Sequence, residues 1–230
     1  MFILMFLVLW SSRIEHLPNY SPCNRRYNMS IPDFPMPIIT PRLLIRPPEM
    51  HDVSSLNTAI LDSWDSLHEF MEWAREKPDM AESERYVRES VLNWSAKKPD
   101  EPWLPLFVFD KLTGNFIGAT GYHHYNWDVP CLECGYWLNQ TYSGKGLMTE
   151  AINAITQYAF KQLCVKRIAI TCSIDNVRSR KIPERLNYVL EGVLKANRLK
   201  PGSREVTDTL VFAKYSLDNL LSLSVTWNED

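Results

Sequence analysis

The segment from 131 to 172 constrains the fold of this chain more than any other part of the sequence. An apolar run at 131–138 leads through a glycine-containing turn into a helical pattern at 146–162, with apolar residues along one face. A second apolar run follows at 165–172. A helix between two strands is the usual connection of parallel neighbours, because a tight hairpin leaves no room for it. The segment therefore predicts one parallel crossover inside a mixed sheet.

The rest of the periodicity surrounds this crossover with antiparallel strands and further helices. Helices are predicted at 51–76, 81–95 and 177–186. Strands are predicted at 42–46, 104–110, 116–125, 188–199 and 206–215. The order predicts a mixed α/β (α+β) fold with a twisted, mostly antiparallel sheet and helices on both faces.

Composition limits the classes of function that this chain can have. The chain has 230 residues, of which 45% are hydrophobic, and its formal net charge is −2. This length suits one large domain with a substantial core. A nearly neutral chain has no overall positive field to hold a polyanion, so a nucleic acid is not expected as a partner.

The first 37 residues are expected to form an irregular extension outside the folded domain. The apolar start at 1–10 is shorter than the roughly 20 residues that span a bilayer, and it lacks the basic start and cleavage site of a signal peptide. A start at Met29 and a weak membrane anchor are the two alternatives. The prediction is an extension at 1–37, a domain at 38–220 and a tail at 221–230, with no stable membrane association.

The cysteines predict a reducing, cytoplasmic environment and no metal site. Their number, five, is odd, and their spacing fits no disulfide framework. Cys131 and Cys134 form a CxxC pair, but no second pair or histidine cluster completes a zinc site. The two residues are interpreted as small apolar side chains of a strand.

The glycine-containing turn before the crossover helix predicts an anion site. Free amides at a helix N-terminus attract anions, and Gly144 and Gly146 let the backbone approach a phosphate closely. The turn lacks the features of a Walker loop and of a dinucleotide fingerprint. Charge supports the prediction, because residues 161–204 carry eleven Lys or Arg against three Asp or Glu. Residues 49–101 carry thirteen acidic against six basic side chains, which suits a cationic acceptor.

Taken together, four segments resemble the GNAT superfamily of acetyl-CoA-dependent N-acetyltransferases. The resemblance is greatest to the RimJ/RimL-like branch, which acetylates the N-termini of ribosomal proteins, and it spans about 38–218. The segments are TPRLLIRP at 40–47, TGNFIGATGYHHYNW at 113–127, ECGYWLNQTYSGKGLMTEAI at 133–152 and DNVRSRKIPERLNYVLEGVLK at 175–195. The superfamily's pyrophosphate loop begins with Arg or Gln, whereas this chain has Thr141.

The resemblance implies which residues bind acetyl-CoA as a cosubstrate. They lie on the strand before the turn, in the turn itself and at the start of the next helix. They are Tyr136, Trp137, Leu138, Ser143, Gly144, Lys145, Gly146, Leu147, Met148, Asn176, Ser179 and Arg180. Acceptor-binding residues are expected among the aromatic and histidine side chains Trp64, Trp73, His123 and Tyr125.

The resemblance also implies direct attack of an amine on the thioester, without a metal. Glu133 would accept the proton, directly or through water, and Ser179 would protonate the leaving thiolate. The alternatives are an ion pair at Glu133, a helix cap at Asn176 and an ordinary helical serine at 179. Pro183 favours a role for Ser179, because a proline crowds the carbonyl four residues before it and removes its donor. Some relatives carry a glutamate proposed as the base where this chain has Arg198.

The sequence therefore predicts an enzyme that acetylates a primary amine, first of all the N-terminal α-amine of a ribosomal protein. A small amine, such as an antibiotic or a polyamine, is the second candidate acceptor. A non-catalytic sensor of acyl-CoA is the third hypothesis, since Thr141 and Arg198 depart from the family pattern. The chain is expected to act as a monomer or homodimer.

Overall fold

One mixed sheet organises the computed structural model, which describes residues 32–97 and 103–228. The strands of the described chain are β1 (Ile38–Ile39), β2 (Leu43–Arg46), β3 (Trp103–Asp110), β4 (Phe116–Asn126), β5 (Cys131–Leu138), β6 (Arg167–Ser173), β7 (Val189–Leu199), β8 (Val206–Lys214) and β9 (Thr226–Trp227). Their order in the sheet is β7-β8-β6-β5-β4-β3-β2-β1-β9. The predictions about residues 1–31, including the alternative start and the membrane anchor, lie outside the described residues.

Helices cover both faces of this sheet. They are α1 (Val53–Asp62), α2 (Trp64–Phe70), α3 (Met80–Ala96), α4 (Leu147–Lys161) and α5 (Val177–Arg185). On one face, Ile152 and Tyr158 of α4 are fully buried in a core with Leu132 of β5. On the other face, Leu56 of α1 and Val87 of α3 are buried in a second core that includes strand residues. This arrangement confirms the predicted fold class.

The predicted crossover is present between β5 and β6. Cys131, Leu132 and Glu133 pair in parallel with 167–169, and α4 connects the two strands. All other neighbouring strands of the described sheet are antiparallel. The sequence therefore predicted the direction of the central strands correctly, because the helical pattern between them allowed only a crossover.

The prediction of a single helix at 51–76 is wrong. After a 3-10 turn at Met50–Asp52, α1 ends at Asp62 with Ser63 as its cap, and α2 ends before Met71, which is extended. Ser63 is fully buried, and its hydroxyl accepts a hydrogen bond from the Gln140 amide at 3.0 Å. The helical period continued through the break because Met71 and Ala74 still pack on the second core.

The described part of the C-terminal segment belongs to the sheet rather than to a separate tail. Thr226 and Trp227 pair with β1, which is itself only two residues long. Asn153 and Gln157, both buried on α4, donate hydrogen bonds to the carbonyls of residues 221 and 223 at 2.8 and 3.1 Å. The pattern of the sequence missed this segment because two-residue strands carry no detectable alternation.

Three of the described cysteines are free thiols, namely Cys131, Cys134 and Cys172. Burial raises the pKa of the Cys172 thiol to about 11, so it is protonated at neutral pH. Within 32–97 and 103–228, no group of three or more His, Cys, Asp or Glu is arranged to hold a metal ion. No helix of those ranges is long and apolar enough to cross a membrane.

Replacement of Gly118 by alanine is expected to destabilise the sheet. A Cβ atom at this position would lie 2.3 Å from the carbonyl oxygen of Trp137, so one strand must shift. We expect the free energy of unfolding to fall by about 1–3 kcal/mol, as for other overpacked sites. Gly192→Ala is the matched control, since a Cβ there meets nothing within 4 Å. Urea unfolding tests this, and equal stabilities of the two variants would contradict it.

Candidate active site

The site is built around an opening between β5 and β6. The parallel pairing of these strands stops at Glu133 and Ala169, although β5 continues to Leu138 and β6 to Ser173. On its other side, β5 stays paired with β4 as far as Leu138. The second half of β5 therefore presents backbone groups that no neighbouring strand takes up, and an extended ligand can pair with them.

The glycine-containing turn lies just beyond the end of β5. Gly144 and Gly146 have φ values of +77° and +73°, a conformation that side chains other than glycine adopt at a cost. Residues 143–146 are exposed, and α4 begins at Leu147 without a side-chain cap. A Cβ atom at Gly144 would meet nothing within 4 Å. The turn next to the first amides of α4 is thus open on the side of Gly144, as an anion site requires.

A clamp from the turn between β1 and β2 fixes the glycine-containing turn to the sheet. The Arg42 Nε atom lies 2.6 Å from a Glu150 carboxylate oxygen, and Arg42 Nη1 donates to the Lys145 carbonyl at 3.1 Å. Thr40 donates to the other Glu150 oxygen at 2.6 Å. Glu150 is the acidic residue in the first turn of α4, and its pairing with Arg42 offsets the repulsion that it would exert on an anion. The sequence predicted no role for Arg42, although this residue lies in the segment 40–47, one of the four that carry the family resemblance.

The start of α5 is joined to the open half of β5. Asn176 caps the helix, since its side-chain oxygen accepts from the Ser179 amide at 3.0 Å. The Tyr136 hydroxyl donates to the Ser179 carbonyl at 2.8 Å, and the Ser179 hydroxyl donates to the Tyr136 oxygen at 3.2 Å. This carbonyl lies four residues before Pro183, which is the position that the proline was expected to free. Arg180 instead turns to Glu184 on the same helix, 2.6 Å away.

Burial defines the chemical state of this hydroxyl pair. It raises the pKa of Tyr136 above its usual value, so the phenol is protonated at neutral pH. Two hydroxyl groups therefore lie beside the opening between β5 and β6, and each carries a proton. Such a pair can donate a proton to an anion that forms there.

Glu133 lies at the mouth of the opening, at the last residue pair before β5 and β6 separate. One carboxylate oxygen accepts from the Thr171 hydroxyl at 2.7 Å, and the other lies 3.5 Å from Nδ1 of His124. The side chain is 29% exposed, so water reaches it. The carboxylate is therefore held in place and accessible, as a proton acceptor must be.

His123 is the cross-strand partner of Glu133. Its ring lies over Gly135, with Nε2 3.4 Å from the Cβ position of this glycine. Burial lowers the pKa of His123 against the opposite effect of the Glu133 carboxylate. His123 is therefore a neutral imidazole beside the opening at pH 7.

The other predicted acceptor residues divide between two places. Trp73 is 51% exposed, and its ring centroid lies 6.1 Å from that of Trp137 on β5. Trp64 packs on the second core and stacks on His68 at 5.3 Å. The structure does not bring Tyr125 to this side of the sheet.

Tyr125 is 7% exposed, and it packs in the core beneath α4, stacked on Trp127 at 5.3 Å. The expected alternation fails because the pairing of β4 with β5 shifts register between His123 and Asn126. His124, with a φ of +45°, takes up the extra residue of this irregularity. Tyr125 is therefore a core residue and not a part of the acceptor surface.

The comparisons with known proteins agree with this geometry. Residues 42–189 match the model of the acetyltransferase (GNAT) domain. YdaF of Bacillus subtilis (strain 168), which is provisionally named a ribosomal N-acetyltransferase, is 30% identical over 156 residues, or 67% of this chain and 79% of that protein. The ribosomal-protein-serine acetyltransferase of Escherichia coli (strain K12) is 25% identical over 129 residues, or 56% of this chain and 69% of that protein.

Solved structures share the fold. The microcin C7 self-immunity acetyltransferase MccE, in complex with acetyl-CoA and AMP, has a TM-score of 0.69 at 23% identity and covers 76% of this chain and 93% of its own. RimL, a ribosomal L7/L12 α-N-protein acetyltransferase in complex with coenzyme A, also has a TM-score of 0.69, at 19% identity, with coverage of 77% and 96%.

Replacement of His123 by glutamine is expected to change how stability depends on pH. Because burial lowers the pKa of this imidazole, the unfolded chain binds its proton first as the pH falls below about 6.5. The wild-type protein therefore loses stability on acidification through this group, and His123→Gln removes that loss. Urea unfolding between pH 7.5 and 5 tests this, with His51→Gln as control for removal of an exposed imidazole. An unchanged pH dependence in His123→Gln would contradict it.

Proposed function

Because the chain belongs to the acetyltransferase (GNAT) family, we propose that it transfers an acetyl group from acetyl-CoA to the N-terminal α-amine of a ribosomal protein. The observation that carries this proposal is the opening between β5 and β6, which lies directly before an exposed glycine turn at a helix start. A thioester with a diphosphate at its far end requires both features at once.

The residues present fit acetyl-CoA. Amides of 143–148 and the cations Arg42 and Lys145 would hold the diphosphate, since the space above Gly144 is open. Backbone groups of 136–138 would bind the pantetheine arm as a strand binds its neighbour. Asn176 caps α5 and thereby fixes the helix that borders the arm.

The chain's own side chains provide the remaining requirements of the reaction. Acetyl-CoA supplies the activated acyl group as a thioester. Glu133 accepts the proton of the amine, directly or through water, and an α-amine with a pKa of about 8 loses it more readily than a lysine. Amides near Trp137 and Leu138 stabilise the developing oxyanion. Ser179, backed by Tyr136, donates a proton to the leaving thiolate.

The names of two relatives support a ribosomal protein as the acceptor. The exposed Trp73 beside Trp137 provides a surface on which a peptide can lie. A small amine stays the second candidate, because MccE, which has a similar fold, was solved with a small molecule, AMP, as well as acetyl-CoA. We further propose a domain that extends from 38 beyond the expected limit at 220 to include β9, a cytoplasmic location, and a monomer or homodimer.

Incubation with acetyl-CoA and a panel of amines tests this function. We expect release of free thiol with peptides that carry ribosomal N-termini, and mass spectrometry should locate the acetyl group on the α-amine. Acetylation of small amines only would overturn the proposed acceptor. Saturable binding of acetyl-CoA without thiol release from any amine would favour the sensor instead.

Gly144→Glu is expected to abolish binding of acetyl-CoA. The substitution places a side chain and a negative charge in the proposed diphosphate site, and φ at this position is +77°. Gly144→Ala is the control for the backbone strain, which amounts to about 1–2 kcal/mol. Calorimetry should show binding to the alanine variant and none to the glutamate variant. Equal affinity of Gly144→Glu and the wild type would refute the assignment.

Ser179→Ala is expected to lower turnover much more than cofactor affinity. The variant removes the hydroxyl that contacts Tyr136, and loss of a general acid lowers kcat by roughly 100-fold. Ser95→Ala is a matched control, since Ser95 is an exposed helical serine that donates to the carbonyl four residues before it. Steady-state kinetics and calorimetry with acetyl-CoA separate the two effects. A wild-type turnover number in Ser179→Ala would rule out the acid role.

A further inference from the structure

A cavity of about 490 Å³ lies between the loop that follows α2 and the hairpin of β7 and β8. Its charged lining residues are Glu72, Arg75, Arg198, Lys200 and Arg204. Residue 73, next to Glu72, is the exposed tryptophan that contacts Trp137 on β5. The cavity therefore borders the side of the sheet on which an acceptor would approach Glu133.

The cavity carries an excess of positive charge. Arg198 lies 3.9 Å from its one lining carboxylate, Glu72, and Lys200 pairs with carboxylates of the hairpin and of residue 175. Arg75 and Arg204 make no ion pair with any carboxylate of 32–97 and 103–228. The acidic character of 49–101 led to the expectation of a cationic acceptor. The folded chain instead brings basic residues of the hairpin to this cavity.

Two contacts hold the turn of this hairpin against neighbouring elements. A Cβ at Gly202, in the hairpin turn, would lie 3.1 Å from the ring of His68 on α2. Lys200 lies 2.9 Å from Asp175, which directly precedes the cap residue of α5. The basic side chains are thus placed between α2 and the start of α5, on the way to the opening between β5 and β6.

We propose that this cavity selects acceptors that carry negative charge, namely peptides in which aspartate or glutamate follows the reactive N-terminal residue. The inference rests on the proposed function and specifies its substrate. Arginine binds a carboxylate through two parallel hydrogen bonds, so Arg75 and Arg204 can recognise such side chains directly. Cations also disfavour an ammonium ion nearby, and they therefore favour the neutral amine that attacks the thioester. Polyamines, which carry further positive charges, are disfavoured for the same reason.

Matched peptides test this specificity. The peptides share an N-terminal serine and differ in the three following residues, which are acidic, their amide counterparts or lysines. We expect kcat/KM to be roughly tenfold higher for the acidic than for the amide peptide at low salt, and lower still for the lysine peptide. The preference should weaken as salt concentration rises, because screening acts on exposed charges.

Arg75→Gln and Arg204→Gln identify the residues responsible. Each variant should reduce the ratio of kcat/KM between the acidic and amide peptides, mainly through KM. Arg88→Gln is the matched control, since Arg88 pairs with Glu84 on the surface of α3 and lines no part of the cavity. Binding of the same peptides to the protein with coenzyme A, measured by calorimetry, gives a readout that is independent of turnover.

The outcomes separate this inference from the proposed function. Turnover of all peptides with equal kcat/KM, or a preference that both arginine variants retain, overturns the inference and leaves acetylation intact. If acidic peptides bind better and the arginine variants lose this preference, but no peptide is acetylated, the result supports the selective role of the cavity and overturns the proposed function. If Arg88→Gln keeps the preference for acidic peptides in turnover and the other two variants lose it, the result supports both the selective role of the cavity and the proposed function.

Discussion

The site depends on the separation of two parallel strands in the middle of the sheet. β5 and β6 pair over three residues only and then diverge beyond Glu133 and Ala169. Unpaired backbone groups in the interior of a sheet are unfavourable unless a ligand or water takes them up. The opening is therefore a place where the fold gives up internal hydrogen bonds and gains a surface for an extended ligand.

The sheet tolerates this opening because each strand is held from its outer side. β4 pairs with β5 through Leu138, and β8 pairs with β6 through Ser173. Two further contacts hold the helices at the opening, the Arg42–Glu150 pair at the start of α4 and the Tyr136–Ser179 pair at the start of α5. Strand separation, turn and helix starts are thus joined by direct contacts, as close positioning of two reactants requires.

The local sequence pattern was sufficient to predict most of the fold and the glycine-containing turn before α4. The limits of β5, the crossover helix and the hairpin of β7 and β8 followed from periodicity and turn residues, because these elements bury one face. The break at Ser63 was not predictable from local pattern, since the side chain there is held by a hydrogen bond from Gln140, which is distant in sequence. Tyr125 was misplaced by an irregularity in strand register, and the charge of the cavity depends on a hairpin turn that is distant in sequence from Glu72 and Arg75. Long-range contacts of this kind leave no trace in local spacing.

A crystal structure of the protein with coenzyme A would show directly whether the ligand occupies the opening. We expect the diphosphate within hydrogen-bond distance of backbone amides in 143–148, with the pantetheine arm paired to 136–138 inside the opening between β5 and β6. Coenzyme A bound at another place, or an opening closed by continuous pairing of the two strands, would contradict it.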